Sequence, residues 1–271
     1  MSAPPAAYFV VSAVFHYLGP SFAVLLFARV EPLGVAWLRI VSAGAVFALW
    51  RRPWRALRSS LVVALGGVLA VMNACFYVAI DRLPLGTVAA IEFLPVIVLA
   101  ALGVRSLRNL AALALAVAGV YALVDVRLEG EPVGVAFAFA NAALFAAYIV
   151  LAHRVARTSA IDGLAAAMLV AVVVVTPIGL GSAAPALLDP VVLLAGIGVG
   201  VASSVIPYVF DQLAMARLSR AGYSLMVSLL PATATVVGLL VLAQVPTAPE
   251  VAGVGLVVAA MALRREPETP G

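Results

Sequence analysis

Arg39, Glu92 and Asp211 stand inside long apolar runs, and so do His16, Asn73, Asn141 and the phenols Tyr77 and Tyr208. An ionised residue at the centre of a bilayer costs about 2.5–3.5 kcal/mol on insertion scales, so these three charges would cost roughly 8–10 kcal/mol if nothing offset them. That is comparable with the stability of a whole domain. The three must therefore be paired, neutralised or placed beside water. The chemistry open to such a set is recognition and proton carriage. Arginine offers a charged fork to a carboxylate, a carboxylate receives an amine or a proton, and amides, imidazole and phenols complete the hydrogen bonds.

Each residue also has a plainer role. Arg39 and Glu92 could form a permanent ion pair holding two helices together. His16 suits a core histidine bonded to a carbonyl, and Asn73 and Asn141 suit interhelical hydrogen-bond glue. Asp211 lies six residues before Arg217, where a local salt bridge or a solvated position serves equally. Tyr77, close to Asp81, and Tyr208 are of the type that anchors helices at a membrane interface. Pro20, Pro95 and Pro231 within apolar runs free backbone carbonyls or simply bend a helix. Cys75, the single cysteine, excludes an internal disulfide and reads as packing. There is no metal-binding His pair, phosphate loop or glycine-flanked nucleophilic serine. The reading is thus of a protein without metal or cofactor that is not an enzyme, with a gradient as its energy source.

What must position these side chains follows from composition. The chain has 271 residues, 65% hydrophobic and 10% charged, with a mean hydropathy of +1.19. A soluble domain is closer to about 45–50% apolar and 25% charged, so the solvent here is lipid. The apolar runs are continuous and lack the alternation of a membrane barrel. Ten helices are expected, at about 7–28, 32–50, 60–80, 84–103, 109–126, 132–152, 162–181, 190–215, 222–244 and 248–263. The first reads as a retained span, because no basic segment precedes it.

All 16 basic residues are arginines clustered between the runs, which reads as topology signal and not as a nucleic-acid surface. Counted on alternate connections, twelve fall on one side (Arg51, Arg52, Arg55, Arg58, Arg105, Arg108, Arg154, Arg157, Arg217, Arg220, Arg264 and Arg265) and three on the other (Arg29, Arg82 and Arg127). Cytoplasmic loops keep the positive charge, so both termini are expected in the cytoplasm. The polar stretch Arg127 to Glu131 divides the chain into residues 1–128 and 132–263, with a short tail at 264–271. Five helices in each half is an odd number, which forces the second half into the membrane inverted. Arg82-Leu83 before Leu94-Pro95 and Arg217-Leu218 before Leu230-Pro231 give a faint internal echo.

At about 1.5 Å per residue, Arg39 and Asn73 lie about 12 Å, and Glu92 and His16 about 15 Å, from the nearer helix ends. In a core about 30 Å thick all four belong near the middle, where an alternating-access transporter holds its substrate.

Met72-Asn73, Phe76-Tyr77, Ile80, Pro84-Leu85-Gly86 and Glu92-Phe93 resemble the third and fourth helices of the threonine/homoserine exporter branch of the EamA-type transporters, in the drug/metabolite transporter superfamily. The similarity extends through Pro32-x-Gly34-Val35-x-x-Leu38-Arg39, Pro53-Trp54-Arg55, Ala147-Tyr148-Ile149, Pro207-Tyr208, Ala214, Arg217-Leu218, Leu225-Met226 and Pro231-Ala232, over most of the chain. Two features depart from that pattern: one residue fewer stands between Glu92-Phe93 and Pro95, and Gln244 occupies a position where an acidic residue is usual.

The resemblance implies an all-α polytopic protein of the bacterial inner membrane, ten helices in an inverted five-plus-five repeat, exporting amino acids or related small metabolites. Proton antiport is the expected coupling, multidrug or other metabolite export the alternative, and a homodimer an open arrangement. In this reading Arg39 positions the substrate carboxylate or Glu92, Glu92 senses an amine or a proton, and Asn73, Tyr77, His16, Asn141 and Tyr208 line the cavity.

Overall fold

The computed structural model describes residues 5–51, 53–103, 106–127, 131–207, 209–210 and 230–263, and every regular element among them is helical. Tyr208, Asp211, Arg217 and Arg220 lie outside the described residues. The helices are α1 (Pro5–Leu26), α2 (Pro32–Arg51), α3 (Ser60–Arg82), α4 (Leu85–Gly103), α5 (Leu107–Arg127), α6 (Pro132–Leu188), α7 (Pro190–Gly200, running into a π-helical turn at Val201–Val205), α8 (Leu230–Leu242) and α9 (Ala248–Leu263).

Local chemistry explains where several begin. Asp189 accepts from the backbone N–H groups of Val191 and Val192 at 2.9 and 3.3 Å, and Pro190 follows with no N–H of its own to satisfy. Before α9, the N–H and hydroxyl of Thr247 both donate to Glu250 Oε2, at 2.9 and 3.0 Å, the reciprocal half of a capping box. Just past the end of α8, Ala243 adopts the left-handed conformation (φ 52°), and the next N–H, that of Gln244, returns to the Gly238 carbonyl at 3.1 Å. The methyl group of an L-residue costs about 1–2 kcal/mol there. Ala243→Gly is therefore expected to stabilise the protein by about 1 kcal/mol after the entropy of the more flexible unfolded chain is subtracted. A thermal midpoint in detergent that failed to rise would contradict this.

Pro32–Arg51, Ser60–Arg82, Pro132–Ala152 and Ile161–Leu188 are each long and apolar enough to cross a membrane. The last two answer to the separate runs expected at 132–152 and 162–181, but the helical backbone continues between them through the 57 residues of α6. Straight, such a helix would be about 85 Å long. It is not straight. Gly134 packs on Arg82 and Leu83, Asp162 meets Arg51, and Ser182 bonds Glu31, so the chain leaves one end of the α2/α3 hairpin, reaches the other and returns. Apolar side chains such as Leu49, Val173 and Leu240 are exposed at 81%, 72% and 77%, a surface suited to lipid and not to water.

With lipid outside, helices gain little from apolarity alone and associate through close packing of small residues. Gly119 of α5 and Gly253 of α9 are the clearest instance. A Cβ at either would lie within 3 Å of the other's carbonyl oxygen, at 2.7 and 2.9 Å. At the end of α9, Arg108 donates through Nε to the Leu263 carbonyl, binding α5 to the last turn.

Candidate functional site

The site is built around Arg39, in the middle of α2 and 7% exposed. Its depth follows from the apolar sequence of α2, but its direction is fixed by α7. Gly200 lets α7 approach so closely that a Cβ there would overlap the Ser42 hydroxyl and lie 2.7 Å from the Arg39 carbonyl. The single Ser42 hydroxyl proton has the Leu38 carbonyl at 2.7 Å and the Arg39 carbonyl at 3.0 Å as acceptors.

Immediately beyond Gly200 the helix widens into the π turn, which changes which carbonyls are free to accept from outside the helix. Arg39 uses this opening. Its Nη2 donates to the Ser203 carbonyl at 3.1 Å and its Nε to the Ser204 hydroxyl at 3.0 Å, while the guanidinium carbon sits 5.6 Å from the centroid of the Tyr77 ring. The charge is thus held by dipoles and a π face.

Glu92, on α4 and 8% exposed, is within electrostatic reach of Arg39 and Tyr17 and lies beside Asn141. It does not form a contact ion pair with Arg39. Ion pairs among the described residues include Arg29–Asp189, Arg51–Asp162 and Arg82–Asp81, at 3.7, 2.8 and 3.2 Å, and Arg39–Glu92 is not one of them. A permanent Arg39–Glu92 lock, the plain role open to those residues from sequence, is not what the structure contains.

Around Arg39 and Glu92 are buried polar atoms whose nearest polar neighbours are not in hydrogen-bonding geometry, with Asn141 beside Glu92 and Tyr77 beside Arg39 and Ser203. The hydroxyls of Tyr17 and Tyr77 and both amide atoms of Asn141 are fully buried and make no hydrogen bond of acceptable geometry. Each such group costs about 1–3 kcal/mol if left unsatisfied, so a concentration of them is unusual. They stand on α1, α3 and α6, Tyr17 and Asn141 near Glu92 and Tyr77 against Arg39. A molecule carrying several hydrogen-bonding groups would satisfy them.

His16 stacks edge-on against Tyr17 at 5.5 Å between ring centroids and feels the Arg39 charge. Asn73, one helical turn before Tyr77, donates to the Leu69 carbonyl of its own helix at 2.9 Å, so its amide N–H is at least partly committed to α3. Tyr77 is wholly buried against Phe27 and Phe76. Beyond Glu92 the wall is aromatic, with Phe93 on Phe145 and Phe145 stacked on Tyr148. Gln244 lies elsewhere. Its Oε1 accepts from the Leu85 N–H at 3.1 Å, tying the α8–α9 connection to the start of α4.

Arg39, Tyr77, Glu92, Asn141 and His16 are therefore brought to one region, and Tyr208 lies outside the described residues. Tyr17, Ser203 and Ser204 escape the sequence reading. Tyr17 adjoins His16 but passes for an apolar residue. The serine pair interrupts its apolar run about 20 Å along the helix from Pro190. No three metal-ligating side chains cluster among the described residues.

Comparison with known proteins supplies a context for this geometry. The family described as EamA-like transporters matches residues 132–264. A threonine/homoserine exporter, RhtA, of Salmonella typhimurium (strain SL1344) is 29% identical over 262 residues, covering 92% of this chain and 89% of that protein. The RhtA of Escherichia coli (strain K12) is 30% identical over 249 residues, covering 89% and 84%. A solved crystal structure with 19% sequence identity superposes with a TM-score of 0.61 over 95% of this chain and 96% of that one, a likeness of fold.

Proposed function

The chain belongs to the EamA-like transporter family, and from that premise we propose that it exports threonine- or homoserine-like amino acids, or closely related small metabolites, across the bacterial inner membrane. It does so by alternating access, coupled to entry of protons, and carries out no covalent chemistry. Ten spans in two inverted halves, 1–128 and 132–263, with cytoplasmic termini form the frame of this reading. The odd number of helices per half, the arginine asymmetry and a family match that begins at residue 132 support it.

One observation carries the functional part. A buried guanidinium and a buried carboxyl group lie near each other without a contact ion pair, and hydroxyl and amide groups without a well-formed hydrogen bond lie beside them. A zwitterion needs that pattern: Arg39 for the carboxylate, Glu92 for the ammonium group, and Tyr17, Tyr77 and Asn141 for a polar side chain. Because the groups come from helices of both proposed halves, a rocking motion of one half against the other would assemble and dismantle the site. That is the requirement for alternating access.

Counterflow in proteoliposomes tests this, with amino acids, dipeptides and cationic drugs as competitors and with or without a proton gradient. Threonine and homoserine are expected to exchange, and an inward proton gradient to drive export against a concentration gradient in the native protein but not in Glu92→Gln. Flux of drugs alone would replace this reading by multidrug export. Unchanged uphill transport and pH dependence in a correctly inserted Glu92→Gln protein would remove Glu92 from the coupling.

A further inference from the structure

Two opposite charges buried near each other in a low-dielectric interior attract strongly, and contact between them is the simplest way to offset their desolvation. Arg39 and Glu92 are such a pair and do not make contact. The reason lies on α7. The Ser204 hydroxyl and the Ser203 carbonyl occupy two of the guanidinium's donors at 3.0 and 3.1 Å, and the Tyr77 ring covers its face. The two serines are themselves 2% and 0% exposed, and the Ser203 hydroxyl is already committed to the Val199 carbonyl. Ser203 therefore holds Arg39 through its backbone, and Ser204 through its side chain.

We propose that Ser204, presented by the π turn of α7, is a positioning residue that keeps Arg39 off Glu92, so that the two charges remain available to the carboxylate and ammonium groups of a zwitterionic substrate. The proposal rests on the transport reading given above. It also accords with the widened turn: a π turn spreads its residues over a wider arc than an α-helix does, so an α-helical continuation at 201–205 would rotate Ser203 and Ser204 relative to Arg39. Without the Ser204 hydroxyl, the guanidinium has one fewer anchor, and Glu92 is a carboxyl group within its electrostatic reach. The resulting pair would neutralise both recognition groups at once.

The test compares the native protein with Ser204→Ala and Ser204→Thr, using threonine and threonine amide as substrates in counterflow. The amide keeps the ammonium group and side chain but lacks the carboxylate. Loss of one hydrogen bond to a charged group corresponds to about tenfold or more in affinity. Ser204→Ala should raise the KM for threonine by about tenfold with a smaller change in kcat, and the native preference for threonine over its amide should fall towards one. Ser204→Thr, which keeps the hydroxyl, should retain both. A change in general packing would lower kcat for both substrates alike and would not be rescued by threonine.

A structure of Ser204→Ala in lipid nanodiscs supplies a readout independent of any substrate. The guanidinium should lie within salt-bridge distance of Glu92. If native protein transports neither amino acid, the transport reading fails, and the nanodisc structure alone decides whether Ser204 separates the charges. If native protein transports threonine and Ser204→Ala keeps both its KM and its discrimination, with Arg39 still bound to the Ser203 carbonyl, the positioning role is wrong.

Discussion

Replacing Arg39 by glutamine is expected to lower kcat/KM for amino-acid counterflow by roughly 100-fold or more while leaving the protein inserted and folded. Removing one partner of a buried, hydrogen-bonded charge pair costs about 2–5 kcal/mol, and the carboxylate of the substrate would lose such a partner. The fold itself should tolerate the change. A glutamine amide nitrogen can take the place of Nε and donate to the Ser204 hydroxyl, and the substitution removes a charge that is costly to insert. Glu92 would then face the site without its counter-charge, so residual transport should shift towards substrates lacking a carboxylate. The check is counterflow of threonine and threonine amide by protein that elutes as native material in detergent. A threonine rate within twofold of native would show that Arg39 takes no part in recognition.

The second large effect is expected at Gly200. Its α-carbon is where α7 meets α2, and an added Cβ would collide with the Ser42 hydroxyl and approach the Arg39 carbonyl at 2.7 Å. The obstacle is backbone as well as side chain, so it cannot be relieved by a rotamer change. Overpacking in a well-filled interior costs about 1–3 kcal/mol and sometimes more. Gly200→Leu should exceed that range, lowering the thermal midpoint in detergent and abolishing transport, because any separation of α7 from α2 withdraws Ser203 and Ser204 from Arg39. Gly198 supplies the control. It lies on the same helix with nothing within 4 Å of its Cβ position, so Gly198→Leu should be close to neutral in both measurements. Equal destabilisation by the two substitutions would mean that helix propensity or insertion, and not the α2–α7 contact, governs this segment.

These two positions differ in how far the sequence reveals them. Arg39 is visible because a charge in an apolar run is costly and must have a use or a partner. The same reasoning finds Glu92, His16, Asn73 and Asn141, and counting residues from helix ends brings Glu92, His16 and Asn73 to depths similar to that of Arg39. It cannot find Gly200. Glycines are frequent in membrane helices, and which of them bears a contact depends on the neighbouring helix. Tyr17, Ser203 and Ser204 are hidden for a related reason. A phenol or a serine is cheap enough to bury that its presence in a span carries little information until its hydroxyl is seen to be unsatisfied or to hold a charge.

Arg39 also shows where depth alone misleads. Two opposite charges at one level suggest an ion pair, yet its partners are a carbonyl and a hydroxyl on a helix some 160 residues away in the chain. Each residue turns the helix by about 100°, so two side chains at one depth can face apart or together according to a rotation that the sequence does not state. The shape of α6 poses the same difficulty. Its two apolar stretches are plain from hydropathy, but the reversal between them that returns Ser182 to Glu31 appears only in the folded chain.

The sequence by itself determined the solvent of this protein, its helical class, and which polar side chains must justify their burial. All three follow from transfer free energies, which are properties of each residue in turn. The tertiary structure decided which helices touch, which way Arg39 points and what holds it from Glu92. Those depend on the rotation and approach of helices packed through Gly200, Ser42 and the π turn, and such packing energies belong to pairs of surfaces that are distant in the chain.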